Sequence, residues 1–464
     1  MAVVDFSQIP ENRITQMRAT VDEGVAKTYD WRIARLDGIL RFLEEQESQI
    51  LETLRADLGR CAMETRSADI FMVRAEVNFL KRNLRRLMGP QYVRTPLAVM
   101  PGRSWIRREP YGLALIFGTW NFPYQQILIP LAGALAAGNL AVAKLSENAP
   151  ESAALMATEL ERYLDPEAVV VVGGGAENAA RLLQMRFDTI LYTGSNRVGR
   201  IVMKAAAENL TPVTLELGGK NPALVLEDAD LKTAARRIVW GRFMNAGQLC
   251  VAPDYVLLPE FLRPKFLTLL QAEIESLYGV DPKASPDFGR IVNSAHFNRL
   301  IGMLSEGTVV YGGQHDSESL FIAPTLLTDL PAEAAVLQEE IFGPILPVVG
   351  YKNLDEAFRS IRRHSKPLMF YLFTKDRSVQ DRVEREMSSG SLLINDTILN
   401  QIVTGLPFGG VGGSGMGAIH GRFTFDAFSH AKAVVRKPFW MDIDVRYPPF
   451  TALKERILQW LMSG

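Results

Sequence analysis

"LALIFGTWNFPYQQILIPLAGALAAGNLAVAK", residues 113–144, decides the fold. It opens on a short apolar run closed by glycine, 113–118, the pattern of a buried strand. Pro123 then offers a helix start, and Gly138-Asn139 a stop. "LAVAK", 140–144, is a second apolar strand. Strand, helix and strand within so few residues make a βαβ unit.

Toward the C-terminus the unit repeats. A helix spans about 150–163, and "AVVVVGG" (168–174) is a strand followed by a short helix. "TILYTG" (189–194) is a strand, "GSNRVG" leads into a helix to about 208, and "VTLEL" (213–217) is a strand. Apolar strands alternating with helices give a parallel sheet covered on both faces. Such sheets bind ligands at the carboxyl ends of their strands, where Asn121, Lys144, Ser195 and Glu216 fall.

Toward the N-terminus, roughly ninety residues carry apolar positions at helical spacing among charges. The proline-rich stretch 89–110 reads as a connection or an edge hairpin. A second α/β stretch runs from about 222 to 405, and the loop "LPFGGVGGSGMG" (406–417) returns the chain. "AVVRKPF" is strand-like, and "TALKERILQWLMSG" closes the chain as an amphipathic helix.

The 464 residues are 47% hydrophobic and 22% charged, enough for two or three domains and a large core. A formal net charge of −1 announces no nucleic-acid surface. Two cysteines, Cys61 and Cys250, make no disulfide framework, which points to a reducing compartment. Asp5 and the lack of a long apolar core argue against a secretory signal. The longest apolar run, 127–138, is interrupted by Pro130 and is too short to span a bilayer. These observations place the protein in the cytoplasm. No metal site is expected.

Four short stretches carry candidate chemistry. In "TGSNRVG", Gly194 and Gly199 have the spacing of the outer glycines of a dinucleotide fingerprint, but Asn196 replaces the middle one. An ordinary strand-to-helix turn would also need these glycines. In "KLSE", Lys144 and Glu147 could hold a ribose or a phosphate, or form a solvated pair. Glu216 interrupts an apolar strand in "TLELGGK". It suits general-base work if buried, or an ion pair with Lys220 or an arginine. Cys250 lies in a loop between Gly247 and Pro253, where a nucleophile needs a polar, electropositive setting. Cys61, among charged helical residues, reads as inert. The five histidines all follow Cys250, so chain order alone leaves a Cys-His hydrolase open.

Taken together these stretches resemble the NAD(P)-dependent aldehyde dehydrogenase superfamily over nearly the whole chain. The blocks are "GTWNFP", "KLSE", "YTGSNRVG", "TPVTLELGGKNPALV", "FMNAGQLCVAPDYVL", "QEEIFGPILPV" and "LPFGGVGGSGMG" with "HGRFTFDAFSH", in order. "CVAPDYVL", the short N-terminus and "RYPPF" resemble the class 3 branch, which includes fatty aldehyde and coniferyl-aldehyde-type enzymes. The resemblance implies an α/β fold with a Rossmann-type cofactor domain (1–89 and 110–216) and an α/β catalytic domain (217–409). Bridging segments (90–109 and 410–440) would build a homodimer, and a tail (441–464) would end the chain.

It further implies that Cys250 is the nucleophile, Glu216 the base and Asn121 the oxyanion-stabilising amide. Lys144 and Glu147 would hold the adenosine ribose, and Gly194, Ser195 and Gly199 would form the cofactor loop. Glu340 and Phe342 would meet the nicotinamide end. Trp120 would lie by the cofactor and, with Trp240, Met244 and Phe408, along the aldehyde tunnel. Leu145 and Leu249 depart from the family's habit of proline and threonine-like residues there. Glu216 favours hydrolysis over transfer to coenzyme A, and Glu147 favours NAD over NADP. In the tail, Leu453, Ile457, Trp460 and Leu461 share one helical face. That face could pack on a subunit, gate the tunnel or make a peripheral membrane contact. A medium- or long-chain aliphatic or aromatic aldehyde is the expected substrate. The rival readings are a non-catalytic binding protein on the same fold and a cofactor-independent cysteine hydrolase.

Overall fold

The computed structural model describes residues 8–462. Its centre is a six-stranded sheet in the order Gly415–Met416, Val213–Leu217, Thr189–Gly194, Leu113–Phe117, Leu140–Lys144, Val169–Val172. All neighbours are parallel except the first pair. The opening βαβ unit is seated in it: strand Leu113–Phe117, helix Pro123–Ala137, strand Leu140–Lys144. Both strands are buried along their whole length, as a sheet covered on two faces requires. The helix runs through Pro130, and Gly138 ends it with a left-handed φ of 94°.

Helices from the first ninety residues pack on that buried helix. The short helix Arg422–Ala427 packs there too. Gly133 permits it, since a β-carbon at that position would lie 2.2 Å from the Thr424 methyl.

A second sheet of seven strands runs Thr308–Tyr311, Thr325–Thr328, Ile345–Tyr351, Tyr255–Pro259, Pro222–Val225, Met369–Phe373, Ser391–Ile394. Only the first pair is antiparallel. Thus the chain leaves one sheet at Leu217 and enters the other at Pro222, with "GGKN" between.

The stretch 89–110 contains a hairpin, Gln91–Val93 against Arg103–Pro110, and Ser429–Arg436 pairs with its long strand. The expected bridging segment 410–440 is therefore split. Gly415–Met416 joins the six-stranded sheet beside Glu216, and only the later strand joins the hairpin. The tail helix Ala452–Met462 touches the turn Leu97–Val99 and leaves Leu453, Trp460 and Met462 exposed.

Candidate active site

Cys250 is held by a loop whose backbone is strained. Helix Leu231–Phe243 begins at Asp230, whose carboxylate accepts from the Thr233 N–H. After it, Asn245, Ala246 and Gly247 take left-handed φ values of 50°, 52° and 76°. A non-glycine residue there costs roughly 1–2 kcal/mol, so surrounding contacts must impose the shape. Gly247 is required, because a β-carbon would lie 2.3 Å from the Gly343 carbonyl oxygen.

The contacts that impose it are numerous. The Asn245 amide donates to the Asn121 carbonyl (3.2 Å) and the Gln248 carbonyl (3.4 Å). Gln248 is buried; its amide donates to the Asn245 and Arg290 carbonyls and its oxygen accepts from the Val292 N–H. Beyond the cysteine, the Asn221 amide donates to the carbonyls of Cys250 (2.7 Å) and Ala252 (3.1 Å). The Tyr371 hydroxyl donates to the Val251 carbonyl.

Asn121 follows the strand Leu113–Phe117 and is buried. The Thr119 hydroxyl donates to its side-chain oxygen (2.7 Å), which turns the amide nitrogen toward the cysteine loop. One amide hydrogen goes to the Gln248 carbonyl (3.0 Å), leaving the second for a ligand.

Glu216 is the last residue but one of the strand Val213–Leu217, and only 3% of it is exposed. Neither carboxyl oxygen has a hydrogen-bond partner among the described residues. The expected rival pairing with Lys220 is absent: Lys220 donates to Asp254 (2.6 Å), which also binds Arg242 (3.0 Å). Burial alone drives the Glu216 carboxyl well above its ordinary range.

The expected electropositive setting of Cys250 is not there. Burial above all, with the neighbouring Glu340 and Glu216 carboxyls adding to it, pushes its thiol up to about 12. The proton must therefore pass to a base during reaction. None of the five histidines hydrogen-bonds the thiol among the described residues. His420 stacks on Phe408, and His296 packs on Trp120. A Cys-His hydrolase has no support in this geometry. Cys61 lies just before helix Ala62–Thr65 rather than inside a helix, and burial raises its thiol.

The residues expected at a cofactor lie at or just beyond the carboxyl ends of the strands Leu140–Lys144 and Thr189–Gly194. Gly194 has φ 151°, and the Ser195 hydroxyl caps helix Asn196–Ala207 by accepting from the Val198 N–H. A β-carbon at Gly199 would lie 2.9 Å from Leu217, so that glycine lets the helix approach its strand. Asn196 donates to the Gly413 carbonyl (2.9 Å), tying the helix start to the returning loop where a fingerprint glycine would leave room for a pyrophosphate. Lys144 is buried and donates to the carbonyls of Leu145 and Gly174, each at 2.6 Å. Half-exposed Glu147 stands 3.8 Å from it.

Glu340 lies over the Gly218-Gly219 turn, where a β-carbon on Gly218 would collide with it at 2.0 Å. Its Oε1 is buried without a partner, and burial with Asp254 raises the carboxyl to about 8. Phe342 has a left-handed φ of 50°, and its ring meets Trp120 edge-on at 5.3 Å. An orphaned carboxyl oxygen, a glycine turn and an aromatic pair fit the polar and flat parts of a dinucleotide.

A narrow cavity of about 100 Å³ reaches Cys250 from another side. Trp240, Met244 and Phe408 line it, with Met72, Phe122, Leu249 and Ile402. Gln125, Gln126, Gln401 and Ser67 supply the polar wall. Trp120 does not line this cavity and packs its ring against Phe342. The tail does not line this cavity either.

Sequence reading missed Arg60, Asp69, Asn245, Gln248 and Asp254. Their roles depend on partners tens to hundreds of positions away. Only the unusual "MNAGQ" before the cysteine offered a signal.

Comparison with known proteins agrees with this layout. Residues 12–434 match the model of the aldehyde dehydrogenase family. Aldehyde dehydrogenase family 3 member B1 of Rattus norvegicus is 45% identical over 450 residues, covering 97% of this chain and 96% of that protein. The substrate-bound AldH of Staphylococcus aureus superposes with a TM-score of 0.95 at 39% identity, covering 98% of this chain and 99% of that one. Betaine aldehyde dehydrogenase of Staphylococcus aureus in complex with NAD+ gives a TM-score of 0.82 at 25% identity, over 92% and 86% of the two chains.

Proposed function

The chain belongs to the aldehyde dehydrogenase family and oxidises an aldehyde with NAD(P); on that premise we propose how its residues divide the work. Cys250 gives its thiol proton to water in the site and its sulfur attacks the aldehyde carbon, and the oxyanion forms against the Asn121 amide and the Cys250 backbone N–H. A nicotinamide bound in this site would supply the hydride acceptor for that carbon. Cys250 then carries a thioester. Glu216 removes a proton from water, the water attacks, and the acid leaves with the thiol restored. The observation that carries this reading is the buried, partnerless Glu216 carboxyl whose field is felt by the Cys250 thiol. A purely structural buried glutamate would have a hydrogen-bond or ion-pair partner, as Glu76 has in Thr424 and Gly421.

Glu340, Phe342, Trp120, Lys144, Glu147, Ser195 and the glycines Gly194 and Gly199 would hold the cofactor. A carboxylate at Glu147 repels a 2′-phosphate, which supports NAD over NADP. The apolar lining supports a medium- or long-chain or aromatic aldehyde. The cofactor domain comprises 1–89 and 110–216 and the catalytic domain 217–409. The exposed sheet 91–93, 103–110 and 429–436 supports a homodimer: Tyr92, Leu97, Val435 and Trp440 are large apolar residues left in solvent beside it. The tail helix completes that surface or makes a peripheral membrane contact in the cytoplasm. Among the described residues, no helix is long and apolar enough to cross a membrane.

The test is cofactor reduction, followed by absorbance, with NAD or NADP and aldehydes from acetaldehyde to a long alkanal and an aromatic one. Higher kcat/KM for the larger aldehydes and for NAD supports the assignment. Preference for acetaldehyde, or for NADP, overturns the part concerned.

A further inference from the structure

Arg60 is fully buried between the helices Glu47–Leu58 and Ala62–Thr65, far in sequence from both catalytic loops. Its guanidinium nevertheless touches each of them. Nη2 donates to the Asn121 carbonyl, Nε donates to the Asn245 side-chain oxygen (3.2 Å), and Nη1 donates to Asp69 (2.5 Å). The plane lies 4.4 Å from the Phe122 ring centre. Asp69 is as buried as Arg60, and its other oxygen accepts from the Gln125 N–H at the start of helix Pro123–Ala137 (3.0 Å). Asn245 closes the figure by donating to the same Asn121 carbonyl.

A buried charge is tolerated only when paired and hydrogen-bonded, and Asp69 meets that need. The other two edges of the fork are directed at the loop of Asn121 and the loop of Cys250. We propose that Arg60, seated by Asp69, is a positioning residue that clamps these two loops together and so fixes the Asn121 amide before an aldehyde arrives. The proposal rests on the reading of Asn121 as an oxyanion donor. Lysine could keep the charge beside Asp69, but its single ammonium cannot reproduce three diverging contacts.

The experiment compares two reactions of Cys250 in the full-length protein. Hydrolysis of p-nitrophenyl acetate passes through an oxyanion and needs no cofactor. Alkylation by iodoacetamide displaces iodide at a tetrahedral carbon and forms no oxyanion. In Arg60→Lys, ester hydrolysis and aldehyde kcat should fall by roughly 10–100-fold. Alkylation and aldehyde KM should stay within about threefold, a split expected only for a misplaced donor. Asn245→Gly suits the left-handed φ and cuts the clamp from the other side, so it should give the same split should Arg60→Lys fail to fold.

Wild-type ester hydrolysis in Arg60→Lys overturns the proposal, and so does alkylation falling in step with it. Asn121→Ala, run beside them, separates the two claims. If it hydrolyses ester at the wild-type rate, the oxyanion reading itself fails. If it is slow while the clamp variants are not, only the clamp is refuted.

Discussion

Glu216→Gln is the substitution whose consequences the structure defines most closely. Glutamine matches the shape of glutamate, so the strand end and its pairing with Gly415 need not move. It cannot accept a proton. Among the described residues, no second carboxylate or histidine hydrogen-bonds Glu216 to take over the role. General-base assistance is worth about 10²–10⁴-fold, so thioester hydrolysis should slow by that factor, ~2.7–5.4 kcal/mol on its barrier. The Cys250 proton goes to water rather than to Glu216 and the oxyanion donors are untouched, so acylation persists. Rapid mixing with NAD and aldehyde should then show a burst of about one reduced cofactor per active site, followed by a slow steady rate. Intact-mass measurement should find the acyl group on the protein.

Stability supplies a second check. In the fold the Glu216 carboxyl titrates well above its ordinary 4.5, so the folded state favours the neutral form. Below that ordinary value both states are protonated and nothing is lost. As pH rises above it, the unfolded chain ionises while the fold resists, and stability drains away. The variant lacks this loss, so its unfolding midpoint relative to wild type should climb with pH. A variant that turns over at the wild-type rate without a burst, or whose relative stability falls as pH rises, would refute the reasoning.

Other outcomes follow from the same geometry. Asn121→Ala removes one oxyanion donor and should lower kcat by about 10²–10³, ~2.7–4 kcal/mol, with a smaller change in KM. Wild-type kcat should rise as pH climbs above the ordinary carboxylate range, because burial holds the Glu216 carboxyl well above 4.5 and the base works only when ionised; a flat profile for the hydrolytic step contradicts this. Asp254→Ala strips the shared partner from buried Lys220 and Arg242 and should cost about 3–5 kcal/mol in denaturant unfolding; an unchanged midpoint shows that the pair is dispensable.

What could be read from the sequence was local. Strands such as "LAVAK" and "VTLEL" announce themselves by apolar runs between glycines, and the helix after Pro123 by its start and stop residues. Glu216 stood out because a carboxylate breaks such a run, and Cys250 because it lies in a loop. The rest depended on distance in sequence. That Asp254 and not Glu216 takes Lys220 is settled by packing between strands of a sheet not yet assembled in the one-dimensional view. Arg60 and Asp69 sit in an ordinary-looking charged helical stretch, and their value lies in partners 61 and 185 positions from Arg60. The electropositive cysteine was a chemist's expectation about isolated thiols. Burial beside two carboxyls reversed it.

The central claim is that Cys250 carries the acyl group. The direct measurement is peptide mass mapping of wild type, Glu216→Gln and Cys250→Ala after mixing with NAD and an aromatic aldehyde, with cofactor reduction recorded in the same samples. The account predicts an acyl adduct on the Cys250 peptide, strongest in Glu216→Gln, and no adduct and no reduction in Cys250→Ala. Reduction that survives in well-folded Cys250→Ala, or an adduct on another residue, would contradict it.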